Sequence, residues 1–468
     1  MELWTSWNAF VQTLRPACAR QVTFQWMRIV WMGLCVRADL AGVTSLVRAL
    51  ALQPKQYLRL LHLFHSEALR LAPLTALWVR FCQRHFDPLE VGGARVCLAD
   101  GLKVSREGRK MPGVKKLHQQ STNNSKPEWI EGHSFQALTQ LVRTPDGRVV
   151  SVPLTSRIHE GVIDSARELS RTLLDRVVEL FFEVAREIPR RVILVADAFY
   201  ASGKVIRPLL AQGHHLVTRV RRNAVAYQLP RRRRRGPGRP RQYGKKLRLH
   251  TLLHQESGFA TAASPVYGEC DVQISYATRD LLWRPVGHLV RFVFVRHPQR
   301  GEITLMSTDL TLDPLNVIAL YGYRFKIETG FRQALHVLGT YAYHFWMAPM
   351  APRKRGSGNQ DVRKRSTRYK RALRRKIAAY HRFVQLGCIA QGLLQLLALQ
   401  QRRTVWQHFR SWLRTMNPDL PPSELVVIQA LRTTLPQFLA DPRAPTDLVK
   451  FLARLRSPDI LRAYERAA

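Results

Sequence analysis

The sequence predicts an α/β protein built on a mixed β-sheet, with a β-rich insertion and helical regions at both ends. Two short apolar runs, residues 95–100 and 191–197, are rich in β-branched side chains and too brief for helices. A longer amphipathic stretch, residues 164–187, lies between them. Strands that alternate with helices in this way are typical of a sheet with helices packed on its faces.

A hairpin and a strand–helix–strand unit complete the predicted sheet. The hairpin turn is Thr144-Pro-Asp-Gly147, whose residue types strongly favour a turn between two strands. The strands of the hairpin, and the helix and strand that follow the second apolar run, are predicted at 132–143, 148–156, 204–212 and 215–220.

The N-terminal residues, 1–90, carry Trp, Leu, Val and Phe at helical spacing. Within them, residues 43–50 and 55–62 are predicted to form two helices around the turn at Gln53-Pro54. A helix-turn-helix that binds DNA has this pattern, and so does any small helical bundle. We assign the region to DNA end binding as a hypothesis.

The rest of the chain divides by composition. Short β-rich pieces behind an Arg-rich loop predict an insertion domain, and a helix at 313–338 follows it. The predicted domains after the N-terminal region are a central α/β domain of residues 91–221 and 306–345, the insertion domain 222–305, a basic linker 346–376 and a C-terminal helical region 377–468.

The charge balance indicates a polyanionic partner. The formal net charge is +41 and the pI is about 11.2, and a surplus of that size favours nucleic acid. The hydrophobic content of 46% excludes a wholly disordered chain. The six cysteines form no Cys-x-x-Cys pair, so we expect neither a disulfide scaffold nor a structural zinc site.

The compartment is predicted to be the cytoplasm, without a membrane partner. No secretory signal is recognised near the N-terminus. The most apolar stretch, residues 387–399, is interrupted by Gln391 and Gln395. We expect it to be too short and too polar to span a bilayer.

Three carboxylates form a candidate metal site. Asp100 and Asp197 each end one of the short apolar runs, and Glu328 lies in the next predicted helix. Such acids supply the hard oxygen ligands that two Mg²⁺ or Mn²⁺ ions need for phosphodiester chemistry. Tyr321 and Arg324 precede Glu328 at spacings that place all three on one helical face, where Arg can hold a phosphate. The alternative for both aspartates is a cap after a strand.

The string Tyr321-Gly-Tyr-Arg324-Phe-Lys-Ile-Glu328 resembles the Tyr-x2-Arg-x3-Glu-x6-Lys signature of DDE transposases from bacterial insertion sequences. The stretch Val195–Ser202 is similar to the second-Asp motif of the same family. The resemblance covers about residues 95–340, and the order of the two aspartates, the insertion and the glutamate follows it throughout.

The resemblance implies a ribonuclease-H-like catalytic domain with a β-rich insertion before the Glu. It implies that Asp100, Asp197 and Glu328 are catalytic and hold two Mg²⁺ or Mn²⁺ ions per active site. Such enzymes bind the terminal inverted repeats of their transposon as a homodimer in a synaptic complex. They cleave at the ends to leave a 3′-OH, which attacks double-stranded target DNA directly. The protein would then be bacterial and associated with the nucleoid.

One position departs from the signature. The family Lys falls on Leu335, and Arg332 is the candidate replacement. The alternative for Arg332 is an i,i+4 ion pair with Glu328. The other residues of this helix that we assign to DNA contacts are Tyr321, Arg324 and Lys326.

Two basic segments are further candidates for DNA binding. The run 231–241 contains Gly238-Arg239-Pro240, similar to the core of an AT-hook, in which Arg enters the minor groove. Arg239 and Arg241 are therefore candidate contacts, either in the groove or as non-specific phosphate contacts of a solvated loop. Residues 353–376 are predicted to follow the DNA backbone, after a flexible start at 356–358.

Two other classes of function are open. A catalytically silent, transposase-derived DNA-binding protein or repressor fits the missing Lys, and a host nuclease of similar fold fits the acids. Inverted repeats and a short target duplication in the flanking DNA would identify a mobile element.

Overall fold

The computed structural model describes residues 2–119, 127–230, 241–255 and 257–457. Arg239 and the rest of the AT-hook-like core lie outside the described residues. The helices are α1 (Glu2–Gln12), α2 (Gln21–Val36), α3 (Gly42–Ala49), α4 (Gln56–His65), α5 (Leu71–His85), α6 (Ala166–Ser170), α7 (Leu173–Ala185), α8 (Gly203–Ala211), α9 (Leu249–Leu252), α10 (Pro314–Tyr323), α11 (Lys326–Gln333), α12 (Thr367–Gln400), α13 (Arg402–Phe409), α14 (Glu424–Ala440) and α15 (Thr446–Leu455).

The strands are β1 (Asp87–Pro88), β2 (Glu90–Val91), β3 (Ala94–Ser105), β4 (Lys115–His118), β5 (Trp129–Arg143), β6 (Val149–Ile158), β7 (Val162–Ile163), β8 (Val192–Ala196), β9 (His215–Arg219), β10 (Val225–Tyr227), β11 (Lys246–Arg248), β12 (Ala260–Ala263), β13 (Gln273–Trp283), β14 (His288–His297), β15 (Gly301–Ser307) and β16 (Gln360–Asp361).

One large mixed sheet organises the described residues. Its order is β1-β5-β3-β8-β9-β15-β14-β13-β10-β11, and β6 also pairs with β5. β5 is antiparallel to β3 and β6, whereas β3, β8 and β9 run parallel. The helix α8 connects β8 to β9. This is the predicted α/β class, with a hairpin and a strand–helix–strand unit in one sheet.

The β-rich segment predicted as an insertion domain continues this sheet. β15 pairs antiparallel with β9, where Ser307 faces Val217, and β14, β13 and β10 follow outward. The inserted strands therefore do not form a separate sheet within the described residues. Their pairing covers the edge of β9, which would otherwise present unpaired backbone groups.

The two faces of the sheet are buried against different helices. On β3 and β8, the side chains that face α10 and α11 are Val96, Leu98, Ile193 and Val195. The alternating residues on those strands join a larger core with the N- and C-terminal helices. This alternation follows from the two-residue period of a strand, and both strands are buried on both faces.

The N- and C-terminal helical regions share one core. The indole of Trp4 on α1 donates to the carbonyl of Leu431 on α14, at 3.0 Å. Trp31 on α2 donates to Leu386 on α12, also at 3.0 Å. The predicted N-terminal region is thus packed on the C-terminal helices.

The longest helix, α12, has 34 residues and begins at Thr367, inside the predicted basic linker. Ser366 caps it by accepting from the backbone N–H of Tyr369. Its length and apolar composition would suffice to cross a membrane, but 83% of its most apolar window is buried inside the protein. The prediction that the apolar stretch at 387–399 is short was wrong, because these residues form the end of the 34-residue core helix α12.

Two other predicted helices are divided. The stretch 164–187 forms α6 and α7, because Thr172 accepts from the N–H of Asp175 in a capping box that starts a new helix. The helix predicted at 313–338 is interrupted at Arg324 and Phe325, between α10 and α11. It ends in a π-helical turn, Ala334–Leu338.

Candidate active site

Asp100 and Asp197 lie on one face of the sheet, on neighbouring strands. The last register pair of β3 and β8 is Leu98 with Val195, and each aspartate lies two residues further along. Because side chains alternate along a strand, both aspartates belong to the face covered by α10 and α11. The prediction that Asp100 ends its strand was wrong. β3 continues to Ser105 through its pairing with β5.

Asp197 follows β8 directly and caps the turn after it. Its Oδ1 accepts a hydrogen bond from the N–H of Phe199 at 2.9 Å. The carbonyl of Asp197 accepts from Thr218 on β9 at 2.7 Å, which ties the turn to the next strand. The capping role that was the alternative for Asp197 therefore occurs, and it holds the carboxylate beside Asp100.

Glu328 lies in the first turn of α11, facing the aspartates. Arg324, in the break between α10 and α11, donates to two carboxylates at once. Its Nη1 lies 3.1 Å from Asp100 Oδ2, and its Nη2 lies 2.8 Å from Glu328 Oε1. Tyr321 lies close by: burial raises the pKa of its hydroxyl, and the charges of Arg219 and Arg324 lower it. The break in the helix does not separate these residues, because Arg324 and Phe325 keep right-handed helical dihedral angles.

The electrostatics of Asp100 are those of a crowded acidic site. The pKa of Asp100 is raised to about 6 overall, and burial is the largest cause. Arg324 and the N–H of Gly101 lower this pKa, whereas the charges of Asp197 and Glu328 raise it. Burial lowers the pKa of Arg324, but the nearby acids raise it above its ordinary value overall. A perturbed carboxyl with charged neighbours of both signs is typical of a functional site.

A polar network beneath the aspartates was missed in the sequence. The hydroxyl of Tyr200 donates to Gln136 Oε1 at 2.8 Å, and Gln136 Nε2 donates to the carbonyl of Asp100 at 3.1 Å. Tyr200 lies in the turn capped by Asp197, so the network joins both aspartates. No sequence signal singled out Gln136, because the same strand also carries His133, Ser134, Thr139 and Gln140.

Lys326 also lies near the site. Its ammonium is 3.9 Å from the ring centroid of Tyr267, which stacks on Tyr323. Burial lowers the pKa of Lys326, and the charge of Arg148 lowers it further. Burial raises the pKa of the Tyr267 hydroxyl, Arg300 lowers it, and the nearby charge of Glu328 raises it further. The loop between β12 and β13 therefore borders the acidic site.

The remaining candidates differ in position. Arg332 is exposed and makes no ion pair with Glu328 within the described residues, because Arg324 occupies that carboxylate. Leu335 is partly buried and packs against the main core. Arg241 is exposed and is the first residue of the described range 241–255. It is distant in sequence from the three acids.

The arrangement defines a class of protein. Parallel neighbouring strands with an acid on β3 and another directly after β8, a third acid on a helix over the same face, and an antiparallel hairpin beside them fit a ribonuclease-H-like fold. The chain matches the family model described as DDE superfamily endonuclease over residues 13–285, more than half of its length. The chain belongs to this family. No curated protein matches the sequence.

The family match and the resemblance in sequence overlap over residues 95–285 and differ at their ends. The family match includes α2 to α5 and both aspartates but ends before Glu328. Fold and family together give a transposase-like nuclease, with a ribonuclease-H-like α/β domain between helical flanks. DNA is the substrate that such a nuclease domain indicates.

Nucleases of this superfamily use divalent metal ions, and the donor chemistry here fits them. Asp100, Asp197 and Glu328 offer hard carboxylate oxygens, and Asp100 is partly buried with its pKa raised, so a cation would stabilise its charged form. As placed, no three His, Cys, Asp or Glu side chains among the described residues are grouped closely enough to hold one ion. Arg324 lies between two of the acids and supplies the positive charge there.

Proposed function

We propose that the chain is the transposase of a bacterial insertion sequence, acting on the DNA ends of its own element. The observation that carries the proposal is the position of Asp100 close to Asp197 and Glu328 in a DDE-family fold, with Arg324 bridging Asp100 and Glu328. The net charge of +41 supports a DNA substrate. A homodimer in the synaptic complex and binding of terminal inverted repeats belong to the same proposal.

In this proposal the three acids hold two Mg²⁺ or Mn²⁺ ions. Bound divalent ions activate the nucleophile and stabilise the leaving oxygen of a phosphodiester. Arg324 keeps Asp100 and Glu328 aligned and presents a planar guanidinium, whose fork matches a phosphate. The network of Tyr200 and Gln136 fixes the strand that carries Asp100. No covalent enzyme intermediate is needed.

The N-terminal helices would recognise the ends. α4 packs its buried face on α12, while Tyr57, Leu58, Arg59 and His62 are exposed on its outer side. Leu58 is 68% exposed on this face, so its side chain is accessible for apolar contact with base edges. This face is our candidate for sequence-specific DNA contact, with the basic residues 353–376 along the backbone.

A strand-transfer reaction tests the proposal. A duplex that carries the element's end with a free 3′-OH is incubated with plasmid, protein and Mg²⁺. We expect joined products whose two strands are staggered by a fixed spacing, and none with EDTA. Tight binding to the ends without joining or cutting would instead support the silent DNA-binding protein, with Leu335 as the first suspect.

A further inference from the structure

A buried carboxylate lies behind the helix that carries Glu328. Glu424, the first residue of α14, is 9% exposed. Its Oε1 accepts from the side-chain amides of Gln391 at 3.3 Å and Gln395 at 3.0 Å, both on α12. Burial raises the pKa of Glu424, and these hydrogen bonds lower it. A polar group in such a place is costly unless its partners are fixed.

Gln391 connects this carboxylate to α11. Its Nε2 donates to the carbonyl of Gly330 at 3.2 Å, and Gly330 is two residues after Glu328. An amide nitrogen has two hydrogens, so it can serve both acceptors. Because Oε1 of Glu424 accepts from Gln391, the amide of Gln391 presents its nitrogen rather than its oxygen on this side, and the same nitrogen makes the contact to Gly330.

The helix α11 needs such a contact. It has eight residues and contains Thr329-Gly330, both poor helix formers, and it passes into a π-helical turn at Ala334. A cavity of about 20 Å³ lies beneath it, lined in part by Ile327, Gly330 and Gln391. Packing alone therefore leaves free space under the turn that carries Glu328.

We propose that Glu424 is a positioning residue for Glu328, acting through the amide of Gln391 and the carbonyl of Gly330. This inference rests on the proposed function of Glu328. The C-terminal helices α12 and α14 contribute none of the three acids. Under this proposal they nevertheless support the active site by positioning Glu328.

The test compares variants that differ in this chain of hydrogen bonds. Gln391→Ala removes the link, and Glu424→Leu removes the acceptor while filling its volume. Glu424→Gln keeps an acceptor oxygen and should rescue. Thr434→Ala is the control, because Thr434 is fully buried in α14 and its hydroxyl donates within its own helix.

The first readout is backbone hydrogen exchange of α11 in the full chain, which does not depend on catalysis. We expect exchange to be about fivefold faster in Gln391→Ala and Glu424→Leu and near the wild-type rate in Glu424→Gln. We expect no change in Thr434→Ala, compared with the disrupting variants at a similar melting temperature. Unchanged α11 exchange in both disrupting variants would overturn the proposal, whatever the DNA results.

The second readout is single-turnover DNA cleavage against Mn²⁺ concentration. We expect the two disrupting variants to cleave about tenfold more slowly or to need about tenfold more Mn²⁺, with DNA affinity unchanged. Faster α11 exchange with normal cleavage would also overturn the positioning role. If α11 exchange responds but the wild type cuts no DNA, the link to α11 stands and the proposed function fails.

Discussion

Arg324 Nη1 lies 3.1 Å from Asp100 Oδ2, although 224 positions separate the two residues in the chain. The same guanidinium holds Glu328 at 2.8 Å. One cation therefore bridges an acid of the sheet and an acid of the helix above it, and its planar fork is suited to two oxygens at once.

Replacement of Arg324 by Lys tests this bridge. Lys keeps the charge but has a single ammonium in place of the fork, so we expect cleavage to fall by about tenfold or more. Single-turnover cleavage measures the effect, with Arg291→Lys as the control, since Arg291 pairs with Asp280 instead. Wild-type cleavage by Arg324→Lys would show that the bridge is incidental.

Arg332 is exposed on the same helix and has no ion pair with Glu328 in the described residues. If it replaces the family Lys as a phosphate contact, Arg332→Ala should weaken strand transfer. The slope of log K against log[salt] for DNA-end binding should become shallower by about one, because one phosphate contact is lost. A titration at several salt concentrations measures this slope. A fully active variant with an unchanged slope would end the hypothesis.

The Tyr200 hydroxyl is buried and donates to Gln136 at 2.8 Å. Tyr200→Phe leaves the amide oxygen without this donor, so we expect the free energy of unfolding to fall by about 1 kcal/mol. Urea unfolding gives the value. Phe199→Leu, at the exposed neighbouring residue, should change stability by less than about 0.5 kcal/mol. Equal losses in both variants would contradict a specific network.

His133 is fully buried, and burial lowers its pKa to about 3. The unfolded chain, with an ordinary histidine pKa near 6.5, binds a proton that the folded chain excludes, so stability falls as pH drops below 6.5. Between pH 6 and 4, we expect the free energy of unfolding of wild type to fall by about 1.4 kcal/mol more per pH unit than that of His133→Phe. Urea unfolding at several pH values measures both slopes, and parallel slopes would contradict a neutral buried His133.

Local patterns in the sequence predicted much of the fold and the acids. The apolar runs before Asp100 and Asp197 predicted strands, because burial on both faces requires such residues. The capping box at Thr172 could have divided the predicted helix 164–187, since Thr-x-x-Asp is a local signal.

The rest depends on pairing between distant segments. Addition of β15 to the edge of β9 and the contact of Arg324 with Asp100 arise only when the chain is folded. The extension of β3 past Asp100 likewise follows from its pairing with β5 rather than from its own polar residues. No periodicity in one segment encodes these contacts.

The most direct test of the central claim is cleavage of a linear DNA that carries the element's own ends, with Mg²⁺ or Mn²⁺. Wild type is compared with Glu328→Gln and Asp197→Asn, and with Asp313→Asn as the control, because Asp313 caps α10 and lies outside the proposed acidic site. We expect cuts at the end boundary from wild type and the control, and none from the two site variants. Equal cutting by Glu328→Gln and wild type would contradict the assigned site.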